Sequence, residues 1–553
     1  MRHGGQILVD HLKAEGVRRV FSVPGESFLA ALDGLHDSGV QNIVCRHEGG
    51  AAIMAEAHAK LTGEVGIAFV TRGPGATNAS AGVHVARQDS TPMILFVGQI
   101  DTAHRDREAF QEVDYRRVFG GLAKWAAEVD DIARLPEYLS RAFHLAQSGR
   151  PGPVVLALPE NMLSARAEVP AIAPRRAPVA APAPAQVGAI WDALMGARKP
   201  LVVVGGPHWS RQAAADLGDL ASATGLPVAV TFRRQDRMDN RHPHYVGDLG
   251  VGMNPKLGRR LQEADLVLIL GARMGDTATN GYTLMDPAAP GRTVLHVHAD
   301  PDELGHVWRP DLAVVSQAPA MVAALGASVP QGLPDWSAWT ASARADYEAF
   351  VTPRETPGAV KLESIMRWLS DHVPDDAIAT NGAGNYAAWM HRYFRPRAWP
   401  GQLAPTSGSM GYGFPAAVAA SLECPDKVVL CFAGDGDFQM TLNELSTARQ
   451  YGAHPVVIVA NNGRYGTIRM HQERTYPARV SGTDLFNPDY AALARAYGGH
   501  GETVTRTQDF PDAFARALDA GTVAVIELIL DPEALAPGQE LHAARAQGLK
   551  AGS

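Results

Sequence analysis

Apolar side chains fall along this chain in short unbroken runs, neither in long stretches nor in strict alternation: VRRVFSV at 17–23, NIVCR at 42–46, VGIAFV at 65–70, MILFVG at 93–98 and VVLAL at 154–158. Such a run is the pattern of a strand buried on both faces, as in a parallel sheet, and the Ala-rich stretches between the runs, such as 51–60, are helical in character. The pattern predicts a first doubly wound domain over 1–166. It restarts with PLVVVGG at 200–206, LPVAVTF at 226–232, LVLILGA at 266–272 and VLHVHAD at 294–300, predicting a central domain over 187–330. A third series, AIATNGA at 377–383, VVLCFAGDGDF at 428–438, PVVIVANN at 455–462 and TVAVIELIL at 522–530, predicts a C-terminal domain over 358–553. The fold class expected is α/β, with three doubly wound parallel-sheet domains. Between the first two lies 167–186, with prolines at 170, 174, 178, 182 and 184; it cannot hold a sheet ladder and is expected to be a stiff linker.

Composition narrows the possible partners. Of 553 residues 46% are apolar and 20% charged, enough for several cores and unlike a disordered chain. Fifty Lys and Arg stand against 58 Asp and Glu, a net charge of -8, so no basic field argues for nucleic acid or an anionic membrane. The three cysteines, Cys45, Cys424 and Cys431, are too few for a disulfide framework and suit a reducing compartment. Ile7, Leu8, His11 and Leu12 follow a helical period broken by charges, unlike a signal peptide, and no run reaches the roughly 18 residues of a membrane span. A cytoplasmic protein is expected.

The chemistry is concentrated in the third series. One strand runs into Gly434-Asp435-Gly436, a helical stretch follows, and the next strand ends at Asn461-Asn462. Both strand ends then deliver oxygen ligands to the carboxyl edge of one sheet, where α/β folds bind ligands. Mg²⁺ favours hard oxygen ligands in company with phosphate oxygens, and the two glycines let backbone amides approach a phosphate closely. Taken singly, GDG is a common turn and NN a common strand end; their separation, 27 positions from Asp435 to Asn462, makes a thiamine diphosphate fingerprint.

With these motifs, and with VFSVPG at 20–25, RHEGGAAIMAEAHAK at 46–60, TRGPGATN at 71–78, AFQE at 109–112, SMGYGFPAA at 409–417 and GDGDFQMTLNELSTA at 434–448, the chain resembles the acetolactate synthase and pyruvate oxidase superfamily of thiamine-diphosphate enzymes over nearly its whole length. The resemblance implies a pyrimidine-binding domain, a central domain and a diphosphate-binding domain, in that order. It implies Asp435, Asn462 and the backbone carbonyl of Arg464 as Mg²⁺ ligands, and cofactor contacts from Pro24, Gly25, Gly382, Ala383, Gly384, Asn385, Ser409, Met410, Gly434, Gly436, Asp437, Tyr465 and Gly466, with Met410 bending the cofactor into a V. Glu48 would hydrogen-bond the aminopyrimidine, although at a strand-to-helix corner a carboxylate also suits simple helix capping. The implied reaction is decarboxylation of a 2-oxo acid through an ylid and an enamine, with or without ligation to a second carbonyl or an aldehyde. Each site would lie between subunits of at least a homodimer, and a homotetramer is the family's usual state.

The chain also departs from acetolactate synthase. Gln111 and Lys124 keep that family's order and spacing on the donor side, whereas Gln-His-Gln is replaced by Ala383-Gly384-Asn385, and Thr277 stands where an Arg would clamp an acceptor carboxylate. The same Arg helps hold FAD, so the change argues against flavin. His471 replaces an acceptor-selecting Trp and is a candidate proton shuttle or substrate ligand. Arg72, before Gly73-Pro74-Gly75, is open between a surface cation and a substrate or subunit contact, and His296 and His298, lacking metal-ligand spacing, are expected to be structural. A flavin-dependent oxidase and a noncatalytic thiamine diphosphate binder are the alternative readings.

Overall fold

Three six-stranded sheets, all parallel within each sheet, carry the chain. The computed structural model describes residues 1–551 except 171, 172, 175 and 176, so that part of the linker expected at 167–186 lies outside the described residues, as do 552 and 553.

The first sheet contains β1 (Arg19–Ser22), β2 (Gln41–Val44), β3 (Gly66–Val70), β4 (Met93–Gln99), β5 (Trp125–Glu128) and β6 (Pro153–Pro159), in the spatial order 2-1-3-4-6-5. The second contains β7 (Pro200–Val204), β8 (Val228–Thr231), β9 (Tyr245–Leu249), β10 (Leu266–Leu270), β11 (Thr293–His298) and β12 (Leu312–Val315), ordered β9-β8-β7-β10-β11-β12. In the third are β13 (Ile378–Asn381), β14 (Gln402–Leu403), β15 (Val429–Gly434), β16 (Val456–Asn461), β17 (His500–Val504) and β18 (Ala524–Ile529), ordered β14-β13-β15-β16-β18-β17. The first and third sheets thus share one strand order, and the second has the order of dinucleotide-binding folds. Each has a switch point where the order reverses, between β1 and β3, β7 and β10, and β13 and β15, and crevices open there at the strands' carboxyl ends.

The outer domains share a core. The helix Glu48–Thr62 is buried on almost every side, because its Ala-rich faces meet its own sheet and also the helix Gly413–Glu423, so that Ala51, Ala52, Ala55 and Phe21 belong to one apolar cluster with Phe414, Ala417, Val429 and Cys431. Small side chains allow this approach: a Cβ at Gly82 would stand 2.4 Å from the Ala52 methyl, and one at Gly66 2.0 Å from the Ala55 carbonyl oxygen. Among the described residues no helix is long and apolar enough to cross a membrane.

Candidate functional site

Two groups of residues gather at matching switch points. In the first domain, Pro24-Gly25 follows β1 and Thr71 to Gly75 follows β3. A Cβ on Gly25 would lie 2.5 Å from the Thr71 Cβ and one on Gly75 2.8 Å from its Cγ2, so the two turns are in contact; the Ser27 and Thr71 hydroxyls are 2.9 Å apart. Glu48 begins the helix after β2. Its Oε1 would lie 3.4 Å from a Cβ on Gly75, and its Oε2 accepts a hydrogen bond of 3.0 Å from Asn78 Nδ2. Capping is done by the preceding residue: the His47 ring Nδ1 accepts from Gly49 N at 3.0 Å, which leaves the Glu48 carboxylate free to face the turn. Gly73, at φ 62° where a side chain would be strained, packs on Gln111, itself at φ 64°. Pro24, Gly25, Glu48 and Gln111 thus converge.

Arg72 proves to be neither a surface cation nor a free ligand. It is buried, donates to the Phe110 carbonyl at 3.3 Å, and lies 3.2 Å from Glu26 and 3.5 Å from Glu160, so it anchors the segment carrying Gln111. Lys124 corrects the expectation of a donor-side pocket residue. Its ammonium donates to the carbonyls of Leu145, Ser148 and Arg150 at 2.6 to 2.8 Å, and burial pushes its pKa down to about 8. These carbonyls, at and just past the end of the helix Leu135–Gln147, need a donor, which the spacing of Lys124 in sequence does not reveal.

In the third domain, register aligns the two motifs. Gly434 pairs with Ala460 across β15 and β16, so Asp435 and Asn462 leave neighbouring strand ends side by side. A cavity of about 250 Å³ opens there, lined by Ala383, Gly384, Asn385, Met410, Gly434 to Asp437, Asn462, Arg464, Tyr465, Gly466 and neighbours, all from the third domain. Buried Asp435 accepts from Gly436 N at 2.9 Å through Oδ1, and from Gly463 N and Asn487 Nδ2, each at 2.8 Å, through Oδ2. With about four acceptor positions per carboxylate, one is left. Asn462 Oδ1 accepts from Arg464 N at 3.2 Å and keeps a second lone pair. One carboxylate, one amide and one backbone carbonyl around a glycine-lined cavity fit a Mg²⁺ ion and a diphosphate. Among the described residues no cluster of three or more His, Cys, Asp or Glu offers a metal site elsewhere.

Asp437, in the cavity wall, is buried and engaged within its own domain: Tyr386 donates to it at 2.5 Å, as does Gly411 N, while Gly382 N donates to the Tyr386 hydroxyl at 3.0 Å. Burial raises the Asp437 pKa to about 6 against these hydrogen bonds. A Cβ on Gly382 would stand 2.2 Å from the Asp437 Oδ1, and the Tyr386 ring lies against Gly384 and Gly434. Asn385 accepts from Thr467 Oγ1 at 2.9 Å and donates to the Leu535 carbonyl at 3.0 Å. Ser409 is half-buried and His471 exposed, and neither is among the lining residues. Asn487 stands in no motif and reaches the site through a loop, whereas Tyr386 directly follows Asn385 and opens the helix Tyr386–Tyr393.

The helix Leu541–Ala551 docks on the rim helix Gly466–Thr475 through Glu473, which is buried between Arg469 and Arg545. The Arg545 hydrogen bond, with others from Ala478 N and Arg469, lowers its pKa to about 2. A depressed carboxylate stabilises the fold above its unfolded pKa, and this is lost as pH falls through the folded value. Amides of 541–551 are therefore expected to lose exchange protection between about pH 4.5 and 2, and Glu473→Gln to weaken docking at neutral pH and flatten that dependence.

At the switch point of the second sheet a cavity of about 130 Å³ meets Gly206, Thr231, Arg234, Arg273 and Thr277. Arg234 donates to the Asp89 carbonyl at 3.1 Å and Arg273 to that of Gln88 at 3.2 Å, and the Thr277 hydroxyl contacts its neighbour Asp276. Its cations are thus engaged with backbone carbonyls, and it adjoins a second cavity of about 470 Å³ with which it shares Asp89, Ser90, Gly206 and Arg234. His296 Nε2 donates to the Ala272 carbonyl at 2.9 Å, and burial lowers its pKa to about 4; His298 accepts from Asp300 N at 3.0 Å.

Comparison with known proteins agrees with this division. Residues 2–118 match the N-terminal TPP binding domain of thiamine pyrophosphate enzymes, 187–325 their central domain and 382–528 their C-terminal TPP binding domain. The chain is 32% identical over 534 residues to acetolactate synthase isozyme 2 large subunit of Escherichia coli (strain K12), covering 96% of each chain. It is also 32% identical over 544 residues to the acetolactate synthase large subunit of Parasynechococcus marenigrum (strain WH8102), covering 95% of this chain and 87% of that one, and 32% identical over 559 residues to acetolactate synthase of Mycobacterium bovis (strain ATCC BAA-935 / AF2122/97), covering 96% and 88%. The chain belongs to the thiamine-diphosphate-dependent enzymes of the acetolactate synthase-like family.

Proposed function

We propose that the enzyme decarboxylates a 2-oxo acid, with or without ligation of the remaining acyl unit to a second carbonyl, in sites completed by a second copy of the chain. The observation carrying this reading is the separation of two complementary halves: Pro24, Gly25, Glu48 and Gln111 meet in the first domain, while the cavity at Asp435 is lined by the third domain alone. A homodimer is the minimum, and a homotetramer is consistent with it.

Bound thiamine diphosphate supplies a carbon nucleophile and then an electron sink for loss of CO₂. Asp435, Asn462 and the Arg464 carbonyl hold Mg²⁺, and backbone amides about Gly384, Gly434 and Gly436 receive the diphosphate. Met410 and Tyr465 wall the cavity. Glu48 holds its proton at the carboxyl oxygen facing the Gly75 turn, against the aminopyrimidine, and Gln111 borders the donor substrate. His471, on the rim helix, is available to an acceptor from outside the cavity. No flavin takes part.

Labelled CO₂ release from a panel of 2-oxo acids tests this. Release is expected with thiamine diphosphate and Mg²⁺, to stop on chelation and to resume when Mg²⁺ is restored; turnover untouched by a chelator, or none with any 2-oxo acid, overturns the reading. The purified protein is expected to show no visible flavin absorbance and no gain from added FAD.

A further inference from the structure

Glu444 belongs to the third domain, yet its carboxylate holds the first. It is fully buried. Oε1 accepts from His47 N at 3.0 Å and Arg46 N at 3.1 Å, and Oε2 from Arg46 N at 3.2 Å. Thr447 donates to Oε2 and Asn443 Nδ2 lies 3.5 Å from Oε1. A Cβ on Gly50 would displace this carboxylate, standing 2.4 Å from Oε1 and 2.9 Å from Cδ.

The next turn continues the grip. Tyr451 accepts from Val44 N at 2.8 Å and donates to the Asn42 carbonyl at 3.1 Å, and Gln450 accepts from the Arg46 guanidinium. Residues 444–451 thus seize the end of β2 and the bend after it, immediately before Glu48. Two of the five points are backbone amides held by one carboxylate, a charge-assisted contact stronger than a neutral one. Burial pushes the Glu444 carboxyl above the usual range, and the hydrogen bonds from Thr447, Arg46 and His47 oppose that.

We propose that Glu444 is a positioning residue for Glu48, setting the angle at which the first domain presents that carboxylate. It rests on the shared-site reading above. Each third domain then serves two sites: its own cavity through Asp435, and its partner's through Glu444 and the Glu48 that its chain lends.

Two measurements test it on the full-length protein. In apo protein, Glu444→Gln is expected to speed amide exchange at Arg46 and His47 by about 10-fold or more without spreading through the Glu48–Thr62 helix, since only local opening is eased. A Gln offers one acceptor oxygen and turns an N–H toward donors. Gly50→Ala, which displaces the carboxylate while keeping its charge, is expected to do the same. In both variants kcat should fall by about 100-fold, as a misplacement near 1 Å can cause, with cofactor affinity and KM unchanged.

The second measurement uses mixed dimers purified on two tags. When one chain carries Asp435→Asn together with Glu444→Gln and the other is unchanged, the surviving site uses the Glu48 of the altered chain and its kcat should fall. When the two substitutions are on different chains, the surviving site keeps an intact Glu444 clamp on its Glu48 and should match the Asp435→Asn mixed dimer alone. Unchanged exchange at Arg46 and His47, equal activity of the two arrangements, or the reverse order overturns the proposal. Failure of the shared-site reading is seen separately, as mixed dimers of Glu48→Gln and Asp435→Asn that regain no activity.

Discussion

Glu48→Gln is expected to lower labelled CO₂ release by about 100- to 10,000-fold, the range over which a positioned acid or base acts, while thiamine diphosphate still binds and the fold is unchanged. The substitution keeps shape and removes the carboxyl group that the proposed role requires. Its structural cost is small because Glu48 is half-buried, is not the helix cap, and has Asn78 as its one side-chain partner among the hydrogen bonds found. An equal rate in the variant would overturn the assigned role. A large fall in melting temperature would show that the carboxylate holds the corner together instead.

Asp435→Asn is the second large effect. The amide matches the carboxylate in size but lacks its charge, and it turns an N–H toward Gly436 N or toward Gly463 N and Asn487, which now donate to Asp435. Metal affinity should fall by more than the roughly 10- to 100-fold that loss of an outer-shell partner causes, and binding of thiamine diphosphate should fall with it. Asn487→Ala provides the comparison, with a loss inside that range, because Asn487 orients Asp435 and Asn461 and does not line the cavity. Calorimetric Mg²⁺ titration in the presence of thiamine diphosphate checks both; an Asp435→Asn protein that binds Mg²⁺ normally would remove Asp435 from the ligand set. Mixed with Glu48→Gln, this variant should recover up to half of the wild-type rate, since one site in each mixed dimer then has both residues intact.

Sequence made the buried strands visible and the edge strands invisible. All thirteen apolar runs became strands, including β2 at an edge; within the three six-stranded sheets the five unmarked strands, β5, β9, β12, β14 and β17, are all edge strands. An edge strand is covered on one side only, so its sequence needs no continuous apolar run: β17 is HGETV and β5 is WAAE. The site divides along similar lines. Asp435, Asn462 and Glu48 stand in short motifs because each follows directly from a strand end. Asn487 reaches the same place through a loop, and nothing in its local spacing signals it. Lys124 shows the opposite failure, a residue in family register whose ammonium is drawn to the exposed carbonyls beside a helix end.

The sequence by itself determined three α/β units, the cofactor class and the residues at the strand ends, because apolar periodicity and glycine-flanked ligands are local properties of a chain. Only the tertiary structure decided how the outer domains pack on one another. Packing the Ala-rich helix Glu48–Thr62 against Gly413–Glu423 joins the outer domains into one core, yet leaves the Asp435 cavity lined by the third domain alone. It also brings Glu444 to the amides of Arg46 and His47, almost four hundred residues away along the chain. Contacts at that separation depend on how whole layers pack, and no window of sequence contains them.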